Sequence, residues 1–110
     1  MTSRKSFTSG DIVLVPFPFS DLSKNKVRPA VVLGCDKEDY TLVFVTTLIQ
    51  KGALSVEIVP SKSNNLKMMS YVRYTKFASL DRSIILGKIG TLSSHDCESI
   101  KKYIKSYLGL

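Results

Sequence analysis

Arg28 stands directly before Pro29 and the apolar run Ala30 to Leu33, and directly after the polar stretch that begins at Ser20. Proline disfavours the helical region for the residue before it, so Arg28 is expected to be extended, its guanidinium projecting from a strand entrance. A planar cation with five donors suits a phosphate. The next apolar run, Thr41 to Val45, ends in Thr46-Thr47 and brings hydroxyls to a matching strand end. Side chains alternate along a strand, so if Thr46 faces the site, Thr47 faces away. Arginine and hydroxyl together suggest phosphate chemistry. Two plainer readings stay open: Arg28 as an ion-pair partner of Asp21 or Asp39, and Thr46 as an ordinary strand threonine.

Other residues extend the same chemistry. Phe17, Phe19, Tyr71 and Tyr74 interleave with Lys24, Lys26, Arg28 and Arg73, a mixture that either stacks bases and tracks phosphates or serves core and dimer packing. Arg73 reads either as a nucleic-acid contact or as half of a structural pair. The single histidine, His95, belongs to a helix start and not to catalysis. Cys35 and Cys97 lie too far apart for a metal site; they read as reduced thiols, the first at a strand end and the second in the core of a helix. No metal or cofactor is expected.

Size and charge bound the answer. A chain of 110 residues fits one domain spanning 1–110, with 1–9 as a loosely ordered arm. Net charge is +7 with 44% hydrophobic residues, which excludes a disordered polymer and favours a polyanionic partner, nucleic acid first. An acidic protein tail also fits that charge. The apolar runs fall far short of the roughly 20 residues needed to span a bilayer. No signal sequence precedes them, so the expectation is a soluble, cytoplasmic protein with no membrane partner.

The elements that must position these residues follow from patterning. Ile12 to Val15 reads as a first strand, and Pro16-Phe17-Pro18-Phe19 as an extended rim, because its prolines cannot donate ladder hydrogen bonds. A loop over 20–27 leads to the strand Ala30 to Leu33, then Gly34, a charged turn Asp36-Lys37-Glu38-Asp39, and a strand Thr41 to Thr47. Leu54 to Val59 alternates apolar and polar residues. A polar connection without an apolar anchor follows over 61–65. Tyr71-Val72-Arg73 resumes an extended pattern, Leu80-Asp81-Arg82-Ser83 reads as a turn, and Ile84 to Ile89 as a last strand with a bulge or bend at Gly87. Ser93 then caps a helix with Asp96 at its third position and Leu92 as a hydrophobic staple; Cys97, Ile100, Ile104, Tyr107 and Leu108 form its apolar stripe. About six short strands and a terminal helix predict a mainly β protein, a small, partly open β-barrel.

The order of Gly10-Asp11-Ile12-Val13, Val27-Arg28-Pro29-Ala30-Val31-Val32-Leu33, Val45-Thr46-Thr47, Ser70-Tyr71-Val72-Arg73 and Ile89-Gly90-Thr91-Leu92 resembles the MazF/PemK family of toxin endoribonucleases, with Pro16 to Asp21 closest to its PemK-like branch. The resemblance implies an SH3-like barrel and a homodimer that binds single-stranded RNA and cuts it without a metal ion. It also implies an acidic antitoxin whose tail occupies the same groove and whose complex binds DNA. Arg28 and Thr46 match the positions that carry the chemistry in such enzymes, and Arg73 matches an arginine that some members add. Phe17, Lys24, Lys26, Tyr71 and Thr75 are the RNA contacts this predicts. Two departures stand out: Thr75 occupies the place of an aspartate found in some members, and the loop over 20–27 lacks a histidine that some carry. A noncatalytic module of the same fold, binding nucleic acid or an acidic partner, is the competing expectation. An unrelated small barrel of the OB type is a third.

Overall fold

The computed structural model describes residues 6–17 and 26–110. Strands β1 (Asp11–Phe17), β2 (Lys26–Asp36), β3 (Asp39–Thr46), β4 (Val56–Ile58), β5 (Ser70–Asp81) and β6 (Gly87–Thr91) precede helix α1 (Ser94–Leu108), with a 3-10 turn at Arg82–Ile84. They form one sheet in the order β4-β5-β3-β2-β1-β6, antiparallel at every pairing. This is the mainly β, SH3-like architecture expected, a partly open barrel with a C-terminal helix.

Both faces of the sheet are covered, which is why its inner strands read as continuous apolar runs and not as clean alternation. Ile12, Val31, Val43, Val45 and Val72 point to one core with Val56 and Ile58 of β4 and Ile100 of α1. Their sequence neighbours Val13, Ala30, Val32 and Leu42 point to a second core with Phe7, Tyr40 and Ile85. Fully burying one such side chain is worth about 1.5–3 kcal/mol.

Residues next to the edge strands β4 and β6 close the curl. Thr91 N–H donates to the Ser63 carbonyl at 2.8 Å, and Asn65 Nδ2 donates to the Ile89 carbonyl at 2.7 Å. The Asn64 carbonyl lies where a Cβ on Gly90 would sit, so the close approach requires glycine there. The connection over 61–65 has no apolar anchor, as expected, and is held by a polar one. Asn64 is buried; its Oδ1 accepts from Ser61 N–H at 2.9 Å and Leu66 N–H at 3.0 Å, and its Nδ2 donates to the Val59 carbonyl at 2.9 Å.

Several boundaries differ from expectation. The strand at Leu54 to Val59 shrinks to β4, because Leu54 is half exposed and lies outside the ladder with β5. The expected turn from Leu80 is a turn later: β5 continues to Asp81, whose carboxylate accepts from Ser83 N–H at 2.9 Å and starts the 3-10 turn. Ile84 is thereby drawn into that turn, and β6 begins at Gly87. The register break against β1 falls at Ile89, not Gly87. The rim reading holds for Pro16 and Phe17, since β6 pairs with Asp11 to Leu14 while β2 continues beside β1 to Phe17; Pro18 and Phe19 lie outside the described residues. Ser93 caps α1 by accepting from Asp96 N–H at 3.1 Å, and Gly109 ends it in the left-handed region at φ 75°. Among the described residues no helix is long and apolar enough to cross a membrane.

Candidate nucleic-acid interface

Arg28 sits inside β2 and not at its entrance, because Lys26 and Val27 already pair with Phe17 and Pro16 of β1. The extended backbone that proline imposes is simply continued backward into the ladder. Arg28 is half buried, with its Nε withdrawn from solvent. Pairing carries its face across the sheet: Ala30, two residues on, lies opposite Phe44, and Phe44 lies opposite Arg73. Thr46 is two residues beyond Phe44 and therefore on the same face.

The result is a cleft of about 790 Å³ that Arg28, Thr46, Arg73 and Thr75 line together. Three strands contribute. Sequence reasoning did not single out Phe44, Leu48, Gln50, Lys76 and Phe77, which complete much of the wall. Thr46 Oγ1 donates to the Leu48 carbonyl at 3.0 Å and accepts from Leu48 N–H at 3.1 Å, which folds the chain after β3 back over the cleft. A hydroxyl has two lone pairs, so one acceptor position remains on Thr46. Arg73 Nε donates to the Leu54 carbonyl at 3.2 Å, which fixes this guanidinium from the side of the 50–55 segment. Thr47 is exposed and does not line the cleft, as strand alternation requires.

A break in pairing shapes the far wall. Phe44 pairs with Arg73 but Val43 pairs with Phe77, so Tyr74, Thr75 and Lys76 bulge out of β5. Tyr74 turns inward, its ring 5.5 Å from that of Tyr103 and 6.4 Å from that of Tyr107 on α1. It belongs to the helix-side core, which settles against stacking on bases. Thr75 and Lys76 turn to the cleft. Three cationic side chains thus share this wall and floor, with no carboxylate among the described lining residues.

The remaining candidates fall elsewhere. Lys26 is exposed at the start of β2 and Tyr71 is half buried opposite Thr46 and Glu57; neither lines the cleft. Lys24, Asp21, Phe19 and the side chain of Phe17 lie outside what the structure describes. Asp39 starts β3 opposite Asp36, which is eight residues along β2 from Arg28, or about 26 Å at strand rise. It is no partner for that guanidinium. His95 is exposed on α1 with Nδ1 3.8 Å from Asp96 Oδ1. Cys35 and Cys97 are both free thiols, and burial pushes the Cys97 thiol up. Among the described residues, no group of three or more His, Cys, Asp or Glu is placed to hold a metal ion.

A curled six-stranded sheet with a terminal helix and a cation-lined cleft defines a small barrel suited to an extended anion. Residues 8–108 match the model of the PemK-like, MazF-like toxins of type II toxin-antitoxin systems, and the chain belongs to that family. Among solved structures it is similar to MazF from Deinococcus radiodurans, at TM-score 0.76 and 19% identity over 97% of this chain and 100% of that one. An endoribonuclease in complex with its cognate antitoxin from a mycobacterial species gives TM-score 0.76 at 15% identity, over 96% and 97% of the two chains. The Mycobacterium tuberculosis toxin MazF-mt6 gives 0.71 at 19% identity, over 91% and 97%. No curated protein matches the sequence.

Proposed function

We propose that this protein is a toxin endoribonuclease that cleaves single-stranded messenger RNA in the cytoplasm by attack of a 2′-hydroxyl on the adjacent phosphate. The observation that carries the reading is the convergence of Arg28, Thr46 and Arg73 from separate strands on one cleft. RNA brings its own nucleophile, so the protein has to align it and stabilise charge on the phosphate. Arg28 and Arg73 offer guanidiniums for the nonbridging oxygens, held by strand β2 and by the Leu54 carbonyl respectively. That charge stabilisation needs no metal ion. The lone pair left on Thr46 accepts from the attacking 2′-hydroxyl and aims it. Thr75 adds a second hydroxyl to the wall, Lys26 and Tyr71 extend the RNA track beyond it, and Lys24 and Phe17 are further RNA contacts in this reading.

The same reading includes a homodimer and an acidic antitoxin that covers the cleft. Net charge of +7 and the exposed apolar side chains of Leu48 and Phe77 on the cleft wall favour a peptide carrying both acidic and apolar residues. Two observations favour the rival reading of a noncatalytic module, namely Thr75 in place of an aspartate and a 20–27 stretch without a histidine. Incubation with a long single-stranded RNA in excess chelator separates the two. Discrete fragments ending in 2′,3′-cyclic phosphate are expected; intact RNA retained by the folded protein would select the binding module.

A further inference from the structure

The β5 bulge puts one more cation in the cleft than the phosphate chemistry calls for. Arg28 is half buried and Arg73 is tethered through its Nε, so both guanidiniums have fixed places. Lys76 differs. It is exposed, stands at the C-terminal end of the bulge beside Phe77, and lines the same cleft. An ammonium on a flexible stem is a mobile point charge, suited to following a backbone phosphate and unsuited to bidentate clamping of a reacting one.

The bulge itself explains why this lysine reaches the cleft. In an unbroken ladder the residues after Arg73 would stay paired with β3, and successive side chains would alternate between faces. Here three residues are released between the Arg73 and Phe77 pairings, Tyr74 is anchored beneath α1, and Thr75 and Lys76 both line the cleft. A carboxylate at position 75 would draw the neighbouring ammonium to itself. The threonine leaves it available for an anion.

We propose that Lys76 binds a phosphate of the RNA backbone next to the one that Arg28 and Arg73 hold, and so sets affinity and its salt dependence. The inference rests on the reading of the cleft as an RNA site. Lys76 acts on the flanking nucleotide, and the two guanidiniums act on the reacting phosphate.

The test is binding of a 2′-O-methylated, uncleavable single-stranded RNA of mixed sequence, measured by fluorescence anisotropy from 50 to 300 mM KCl. For Lys76→Gln we expect affinity to fall about five- to tenfold at the lower salt and the slope of log K against log salt to shrink by about 0.7, the loss of one phosphate contact. Lys76→Arg should restore the slope, and Thr75→Asp should weaken binding as Lys76→Gln does. Unchanged affinity and slope in a folded Lys76→Gln protein, while the parent binds, would overturn this inference alone. No binding by the parent protein at any salt would overturn the RNA reading and the inference with it.

Discussion

The seam between β4 and β6 and the cleft treat polar groups in opposite ways. At the seam, where its backbone meets Gly90, Asn64 is 2% exposed, yet both ends of its amide have backbone partners. In the cleft, Arg28, Arg73 and Lys76 gather with no acid among the described lining residues. Like charges held together weaken a fold, and they persist where a ligand of opposite charge is meant to arrive. The first arrangement stabilises the fold, and the second suits the anionic ligand proposed above.

Mutations can break this contrast or sharpen it. The largest stability effect is expected at Ile100, which α1 plants in the helix-side core at 2% exposure. Ile100→Ala should cost about 4 kcal/mol in denaturant unfolding, and the protein that remains folded should still cleave RNA. A cost below 1 kcal/mol would mean that α1 is not what closes that core. Next in size is Asn64→Ala, which orphans the N–H groups of Ser61 and Leu66 and frees the segment that seals β4 to β6. About 2 kcal/mol should be lost. Faster hydrogen exchange at Thr91, whose N–H depends on the Ser63 carbonyl, should accompany the loss. Unaltered exchange there would show that the seam is held by something other than Asn64.

Much of this molecule was readable before the fold was known, for reasons that are local. Ser93, Asp96 and the apolar spacing from Cys97 to Leu108 mark α1, and the proline segment marks a strand end. Arg28 and Thr46 stand at recognisable places beside apolar runs, and the family resemblance singles out Arg73 and gives Thr46 its weight. What escaped depends on pairing between distant strands. Lys76 and Gln50 reach the cleft through a register break between β3 and β5 and through the backward fold at Leu48, neither of which leaves a mark in local composition. The length of β5 was hidden too, because a strand interrupted by a three-residue bulge loses its alternation midway. Asn64 looked like an ordinary loop residue because its burial is created by the loop crossing Gly90.

In the proposed reading the cleft around Arg28 works on RNA while the helix-side core holds the barrel together. Single-turnover cleavage by Arg28→Ala, measured alongside its thermal melt, separates these two roles. The rate is expected to fall about 10²- to 10³-fold, the cost of removing one electrostatic donor from a reacting centre, while the melt still shows a cooperatively folded protein. Cleavage at the parent rate by a fully folded Arg28→Ala protein would contradict that reading.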